Sequence, residues 1–329
     1  MAAIGSSNPT LIDVATRMEG DKIAKTIVEL LHETNEILDD ATFLECNDGS
    51  NHKTTIRSGL PTPTWRLLNY GVQPSKSTTV QVKDACGMLE NYAEVDKALI
   101  DLSGDPAGFR QSEEAAFIEG MNQGFVDTLF YGNTATNPER FMGLAPRFNS
   151  LSAENGQNII AGGGAGADNT SIWLVVWGQT TAHCIYPKGS AAGLKMRDLG
   201  EDTTTDAGGG KYQIMRSHYK WDAGFTLRDW RSVVRIANID VSDLTKTGST
   251  GADLCDLMVQ AIEKVHNLGA GRPAFYVNRT VSSYLRRQML NKSNLLLSMD
   301  ELGGKKVMTF SGIPVRRCEA ILNTEAVVS

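Results

Sequence analysis

The stretch FRQSEEAAFIEGMNQGFVDTLFYGNTATNPERFMGL, residues 109–144, decides how the rest of this sequence is read. Asp105 and Pro106 stand just before it, a capping side chain followed by a first-turn proline. Phe117, Ile118, Met121, Phe125, Leu129 and Phe130 then recur at three- and four-residue spacing and predict one broad apolar stripe. Glu113 and Glu114 lie in the first half, where they complement the helix dipole. At 1.5 Å per residue the helix spans roughly 35 Å, a domain-length strut. It runs into a turn rich in Gly and Asn that ends at Gly143-Leu144. The stripe offers packing and no catalytic side chain.

Upstream, Thr10 with Asp13 after it reads as the start of a short helix. The segment KIAKTIVELLHETNEILDD, residues 22–40, predicts a stronger one, with Ile23, Ile27, Leu30, Leu31, Ile37 and Leu38 on one side. Its other faces are acidic, so the stripe must dock elsewhere. From Thr42 to about Ile100 the chain is rich in Thr, Val and turn residues. Asn47-Asp48-Gly49 signals a turn, Thr78 to Val82 alternates as a strand does, and Pro61, Pro63 and Pro74 confine the region to edges and turns. Few large apolar residues support it. A thin polar hairpin of this kind is marginal alone and is expected to lie on its own body or on a neighbour.

Downstream, AGGGAGAD at 161–168 reads as a flexible connector, and SIWLVVW, AHCIYP, KYQIMR and WDAGFTLRDWRSVVRIANIDV read as strands. Residues 247–251 form a second linker. A helix from Asp253 to Leu268 closed by Gly269, a strand at Ala274–Val277, a helix opened by Thr280 and two strands around Ser311-Gly312 follow. The fold class is α+β, with no repeat at a solenoid period.

At 329 residues, with 41% hydrophobic and 21% charged, the composition is that of an ordinary globular chain. The longest apolar run, Ile172–Trp177, is strand-sized and far short of the ~20 residues of a membrane helix. MAAIGSSNPT lacks the pattern of a secretory signal, so the product is expected to stay where it is made. Cys46, Cys86, Cys184, Cys255 and Cys318 are odd in number and scattered, which predicts no disulfide framework and a reducing compartment. Net charge is −6, with residues 1–50 acidic and residues 251–329 basic on balance. An acidic chain is a poor nucleic-acid binder, because that affinity rests on many Lys/Arg–phosphate contacts. The asymmetry is either ordinary variation along a chain or an acidic segment that meets basic surface on another subunit.

Chemistry finds no foothold. Gly162, Gly164 and Ala167 satisfy GxGxxA, but the run precedes a strand where a dinucleotide fingerprint must open a helix. Gly208-Gly209-Gly210-Lys211 is followed by Tyr212, where a phosphate loop needs Ser or Thr. His32, His52, His183, His218 and His266 show no metal-ligand pairing, and His183 and Cys184 point to opposite faces of a strand. Asp222, Asp229 and Asp240 sit among Arg228, Arg231 and Arg235, which predicts ion pairing on a half-exposed sheet. Trp221 and Trp230 read as core or interface anchors. No catalytic, cofactor-binding or metal-ligating residue is assigned, and no enzymatic activity is expected.

The run into YGNTATNPERFMGL resembles the spine helix and Gly-Leu turn of tailed-bacteriophage major capsid proteins of the Hong Kong 97 fold. RPAFYVNRTVSSYLRR is similar to that family's apical strand and helix, and VMTFSGIPVRRCEAI to its late Gly-Ile-Pro-Val strand. IYPKGSAAGLKMRDLG, WDAGFTLRDWRSVVRIANID and IGSSNPTLIDVA resemble the short-tailed phage branch. The resemblance implies an N-terminal arm (1–40), an extended loop hairpin (41–102), a peripheral domain with the spine helix (103–250) and an apical domain with returning C-terminal strands (251–329). It further implies a late structural protein of the virion. Hexamers and pentamers would form an icosahedral head around double-stranded DNA, assembled in the host cytoplasm, with no membrane. Portal protein is an implied partner, with separate scaffolding and decoration proteins possible ones, since the short arm leaves no room for a scaffolding segment removed by a protease. Some members crosslink a hairpin lysine to a neighbour; Lys53, Lys76 and Lys83 stand at that location, read as plain surface lysines, and no crosslink is assigned. A bacterial encapsulin compartment with the same fold is the alternative reading.

Overall fold

The computed structural model describes residues 18–19, 22–23, 33, 35–206, 208–246, 251–291, 297–302 and 305–329. Two short strands, β1 (Met18–Glu19) and β2 (Lys22–Ile23), pair antiparallel. Helix α1 (Ile37–Asp40) and strand β3 (Phe43–Glu45) follow. The helix expected over 22–40 is thus a strand at Ile23 and a helix only from Ile37. Ile27, Leu30 and Leu31, like the short helix at Thr10, lie outside the described residues. The end of the expected helix is held by tertiary contacts: Ile37 is buried, and the Asp40 carboxylate accepts from Tyr276 at 3.0 Å and Arg316 at 3.1 Å.

Strands β4 (Asn51–Gly59) and β5 (Thr78–Ala85) form a separate two-stranded hairpin, and β6 (Gly87–Asp96) leads through α2 (Lys97–Leu102) into the long helix α3 (Pro106–Tyr131). The region expected to be one extended hairpin therefore divides. Its second part, β6, pairs with a body strand from Gly87↔Ala223 to Asp96↔Ile214. Asp105 caps α3 as expected, its carboxylate accepting from the Gly108 amide at 3.0 Å. The stripe differs in its first half. Met121, Phe125, Leu129 and Phe130 are buried and Phe117 is half-buried, but Ile118 is exposed, while Val126 is fully buried. The first half meets the sheet through other positions: Phe109 is buried with Val95 and Met215, and Phe117 stacks on Tyr219 at 5.9 Å, which leaves Ile118 outside the packed face.

The helix ends against its own return loop. The Gly143 amide donates to Gly132 O at 2.8 Å and the Leu144 amide to Leu129 O at 2.9 Å, which satisfies carbonyls that the last turn leaves without partners. A Cβ at position 143 would lie 2.6 Å from Thr128 O, so this approach admits only glycine.

The main sheet has 12 strands among the described residues. Its components are β3, β6, β7 (Ile159–Ala161), β8 (Asn169–Trp177), β9 (Ala182–Tyr186), β10 (Lys195–Thr205), β11 (Lys211–Leu227), β12 (Val233–Asp240), β13 (Arg272–Val277), β14 (Leu297–Leu302), β15 (Lys305–Phe310) and β16 (Ile313–Arg317). Two helices, α4 (Leu254–Lys264) and α5 (Arg279–Asn291), flank β13 in the chain. The side chains of β8 alternate between two cores. Trp173, Val175 and Trp177 join the core under α3, while Ile172, Leu174 and Val176 join the core containing Leu254, Met258, Val281 and Leu285. A strand covered on both faces must read as a continuous apolar run, which explains SIWLVVW.

Further corrections are local. KYQIMR and WDAGFTL are parts of one 17-residue strand, β11, which pairs first with β10 and β6 and then with β9. The Gly-rich run at 161–168 is not a loose connector, since the Gly162 and Gly164 amides donate to Ala237 O and Asn238 O, each at 2.7 Å. Helix α4 stops at Lys264 rather than Leu268. Helix α5 is opened by Asn278, whose side chain accepts from the Val281 amide at 2.8 Å, rather than by Thr280. Ser311 and Gly312, with φ of 50° and 79°, form the tight turn between β15 and β16. Of the linker at 247–251, residues 247–250 lie outside the described residues.

Candidate assembly surface

The β4–β5 hairpin is laddered from Asn51↔Ala85 to Gly59↔Thr78 and then stops. Pro61, Pro63 and Pro74 supply no amide donors, so the ladder does not extend past that point. The tip beyond it carries large apolar side chains facing solvent: Trp65 is 101% exposed and Leu68 86%, and Leu60, Leu67 and Tyr70 are exposed beside them. Scattered apolar side chains on a surface are ordinary; a run of five within eleven positions marks a contact surface.

The base of the hairpin is fastened to the body by polar contacts. Asp84, buried near the end of β5, accepts from Arg147 Nη2 at 2.7 Å and from Thr226 Oγ1 at 2.5 Å. His52 is buried on the facing strand, within 2.7 Å of Arg228 Nη2 and edge-on to His183, with 5.5 Å between ring centroids. Burial, followed by the nearby Arg228 and His52, pushes the His183 imidazole down to about 4. Burial and Arg228 lower His52 as well, against a smaller opposing pull from Asp84. The hairpin is thus free at its tip and fixed at its root.

Beside the root, α3 and β11 leave a groove of about 310 Å³, lined by Met88, Leu89, Phe125, Phe141 and Trp221 and rimmed by Asp127, Glu139 and Arg140. Phe125 stacks on Trp221 with centroids 4.3 Å apart and planes 10° from parallel. Trp221 is accordingly a core anchor, and Trp230 packs half-buried at the edge of the same core.

The other residues singled out by sequence fall as follows. Lys53 pairs with Asp48 at 2.8 Å on the surface, and Lys76 and Lys83 are exposed. Asp206 accepts from the Gly208 and Gly210 amides, so the Gly208–Lys211 run is the turn between β10 and β11. The Asp/Arg cluster disperses. Asp229 pairs with Arg231 at 2.9 Å and Asp222 with Lys220 at 3.3 Å, while Asp240 accepts from Ser242. Arg235 is fully inside, bonded to Glu325 at 2.9 Å and to Phe148 O at 2.7 Å. Among the described residues, no three His, Cys, Asp or Glu side chains come together as a metal-holding group, and no helix is long and apolar enough to cross a membrane. The contacts at the hairpin root escaped sequence reasoning because they join positions 63, 142 and 176 residues apart. The only local signal was a polar residue, Asp84, on the inward side of an alternating strand.

The family model for the major capsid protein GP7 matches residues 19–329. The chain belongs to this family. A chain in the cryo-EM structure of bacteriophage Epsilon15 is 46% identical, with a TM-score of 0.78 over 100% of this chain and 99% of that one. The capsid of bacteriophage JBD30 shares the fold at 11% identity and a TM-score of 0.50, over 97% of this chain and 99% of that one. No curated protein matches. The protein is therefore a major capsid protein of a phage head, of the Hong Kong 97 fold and the short-tailed branch. The family match places the chain with phage capsids rather than with encapsulins; the SrpI encapsulin of Synechococcus elongatus is 11% identical, with a TM-score of 0.44 over 69% of this chain and 95% of its own. The capsid protein belongs to a structural family whose members build oligomeric shells, and it is a component of the virion.

Proposed function

We propose that this capsid protein forms hexamers and pentamers of an icosahedral head around double-stranded DNA, and that the hairpin tip completes its burial on neighbouring copies. The observation that carries this reading is the apolar tip, with Trp65 wholly exposed on a hairpin rooted by buried polar contacts. Apolar area of this kind gains about 25 cal/mol per Å² when covered. Residues 1–40 act as the arm and 41–102 as the loop region, of which Asn51–Ala85 is the free hairpin. Residues 103–250 form the peripheral domain and 251–329 the apical domain.

The work of the protein in this account is geometric, with no catalytic step. Portal protein is its further partner, with a separate scaffolding protein or none and decoration proteins as optional ones, and assembly takes place in the host cytoplasm. A net charge of −6 suits a wall that contains DNA without gripping it, since tight binding needs many phosphate contacts. The hairpin lysines remain uncrosslinked. Denaturing gels of assembled particles test that point: a single band agrees, and a ladder of covalent oligomers disagrees.

Assembly of a tip variant tests the main reading. Trp65→Ser with Leu68→Ser is expected to yield a folded chain, with wild-type circular dichroism, that forms few or no shells by electron microscopy. Wild-type yields of shells from this variant would refute it.

A further inference from the structure

Two cysteines, 40 positions apart in sequence, meet at the hairpin root. Cys46 directly follows β3, ahead of the turn into β4, and Cys86 directly follows β5, and their sulfurs lie 3.5 Å apart. Both backbones are held in place. The Cys46 amide donates to Tyr186 O and the Cys86 amide to Ser50 O, each at 2.9 Å. Cys46 is buried and Cys86 half-buried. The other cysteines differ in setting: Cys184 and Cys318 are sealed in the core under α3, and Cys255 lies in the core on the other side of β8.

We propose that Cys46 and Cys86 are an oxidation site that closes one intrachain disulfide across the root of the hairpin. A disulfide needs its sulfurs about 2.05 Å apart, so the pair must approach by roughly 1.5 Å. Hydroperoxide is a sufficient oxidant. The Cys86 sulfur, deprotonated, attacks one peroxide oxygen and becomes a sulfenic acid, and the other oxygen leaves as water after protonation. The Cys46 thiol then attacks the Cys86 sulfur, gives up its proton and displaces the hydroxyl as a second water. Two thiols lose two electrons and two protons, and one peroxide becomes two waters.

Burial raises both thiols above their ordinary range, so the Cys86 thiolate that starts the reaction forms seldom and closure is slow. An oxidising medium closes it. The product ties Cys46 to Cys86 around the whole hairpin, so the root stays shut even when the Asn51↔Ala85 ladder opens.

The experiment uses the full-length purified chain, treated with hydrogen peroxide, quenched with an alkylating agent and analysed without reductant. The expected product is lighter by about 2 Da, the two thiol hydrogens, before alkylation of the remaining cysteines. Peptide mapping is expected to join the segments that contain Cys46 and Cys86. Trypsin cleavage at the exposed Arg66 should leave two pieces that run together on a gel and separate when reductant is added. C46S and C86S should each lose the linkage. Oxidised protein with sulfinic acids but no linkage, a linkage that survives in either serine variant, or tryptic pieces that separate without reductant would overturn the proposal.

Discussion

Arg147 donates to the buried carboxylate of Asp84 at 2.7 Å, tying the loop behind the spine helix to the root of the hairpin. Arg147 also lies over the Phe225 ring, 5.6 Å from its centroid, and Thr226 supplies a second hydrogen bond to Asp84. Removing one member of such a pair leaves a charge inside the protein without its counterpart, which typically costs 3–5 kcal/mol. Arg147→Met is therefore expected to lower stability by about 3 kcal/mol in urea denaturation of the unassembled chain. Thr226→Val, which removes one hydrogen bond, should cost about 1 kcal/mol.

The long helix offers a paired comparison. Phe125→Ala removes a ring stacked on Trp221 and leaves a cavity, an expected loss of about 4 kcal/mol. Ile118→Ala, on the same sequence stripe but exposed, should change stability by no more than about 0.5 kcal/mol. Thermal denaturation of the two variants side by side checks this. Similar losses from both would mean that the first half of the helix packs as the sequence stripe implies.

Acid is expected to loosen the hairpin root. His183 is buried with its pKa held down to about 4, mainly by burial and then by Arg228 and His52, and His52 is lowered too. A base whose folded pKa is depressed adds stability above its unfolded value, near 6.5, and that stability is lost as pH falls towards the folded value. Between pH 7 and pH 4 the His183 contribution amounts to about 3 kcal/mol. Urea titrations at pH 7, 5.5 and 4 should show this slope in the wild type and a shallower one in His183→Leu. An equal slope in both would assign acid sensitivity to other groups.

Much of this architecture was legible in the residues. The Asp105-Pro106 opening, the core positions from Met121 to Phe130, the apolar β8 run and the Ser311-Gly312 turn rest on local rules of capping, periodicity and backbone conformation. The resemblance of Gly143-Leu144 to a known turn also has a local cause, because Gly143 caps the helix at a distance that no Cβ tolerates. What sequence did not carry was set by distant partners. Arg235 read as one of a surface cluster because Glu325 is 90 residues away. Ile118 read as core because a broad stripe does not record which of its edges the sheet covers, and the sheet takes Phe117 and Met121 beside it. The loop region read as one hairpin because nothing local shows that β6 pairs with β11 while β5 does not continue into the same ladder. The apolar residues of the tip stand in plain sequence, yet only their exposure marks them as a surface.

In the proposed shell, Trp65 and the tip around it are covered by a neighbouring copy. A cryo-EM reconstruction of the assembled particle tests this most directly. The Trp65 ring is expected to pack against an adjacent subunit in hexamer positions. A tip that stands in solvent at every position of the shell would contradict it.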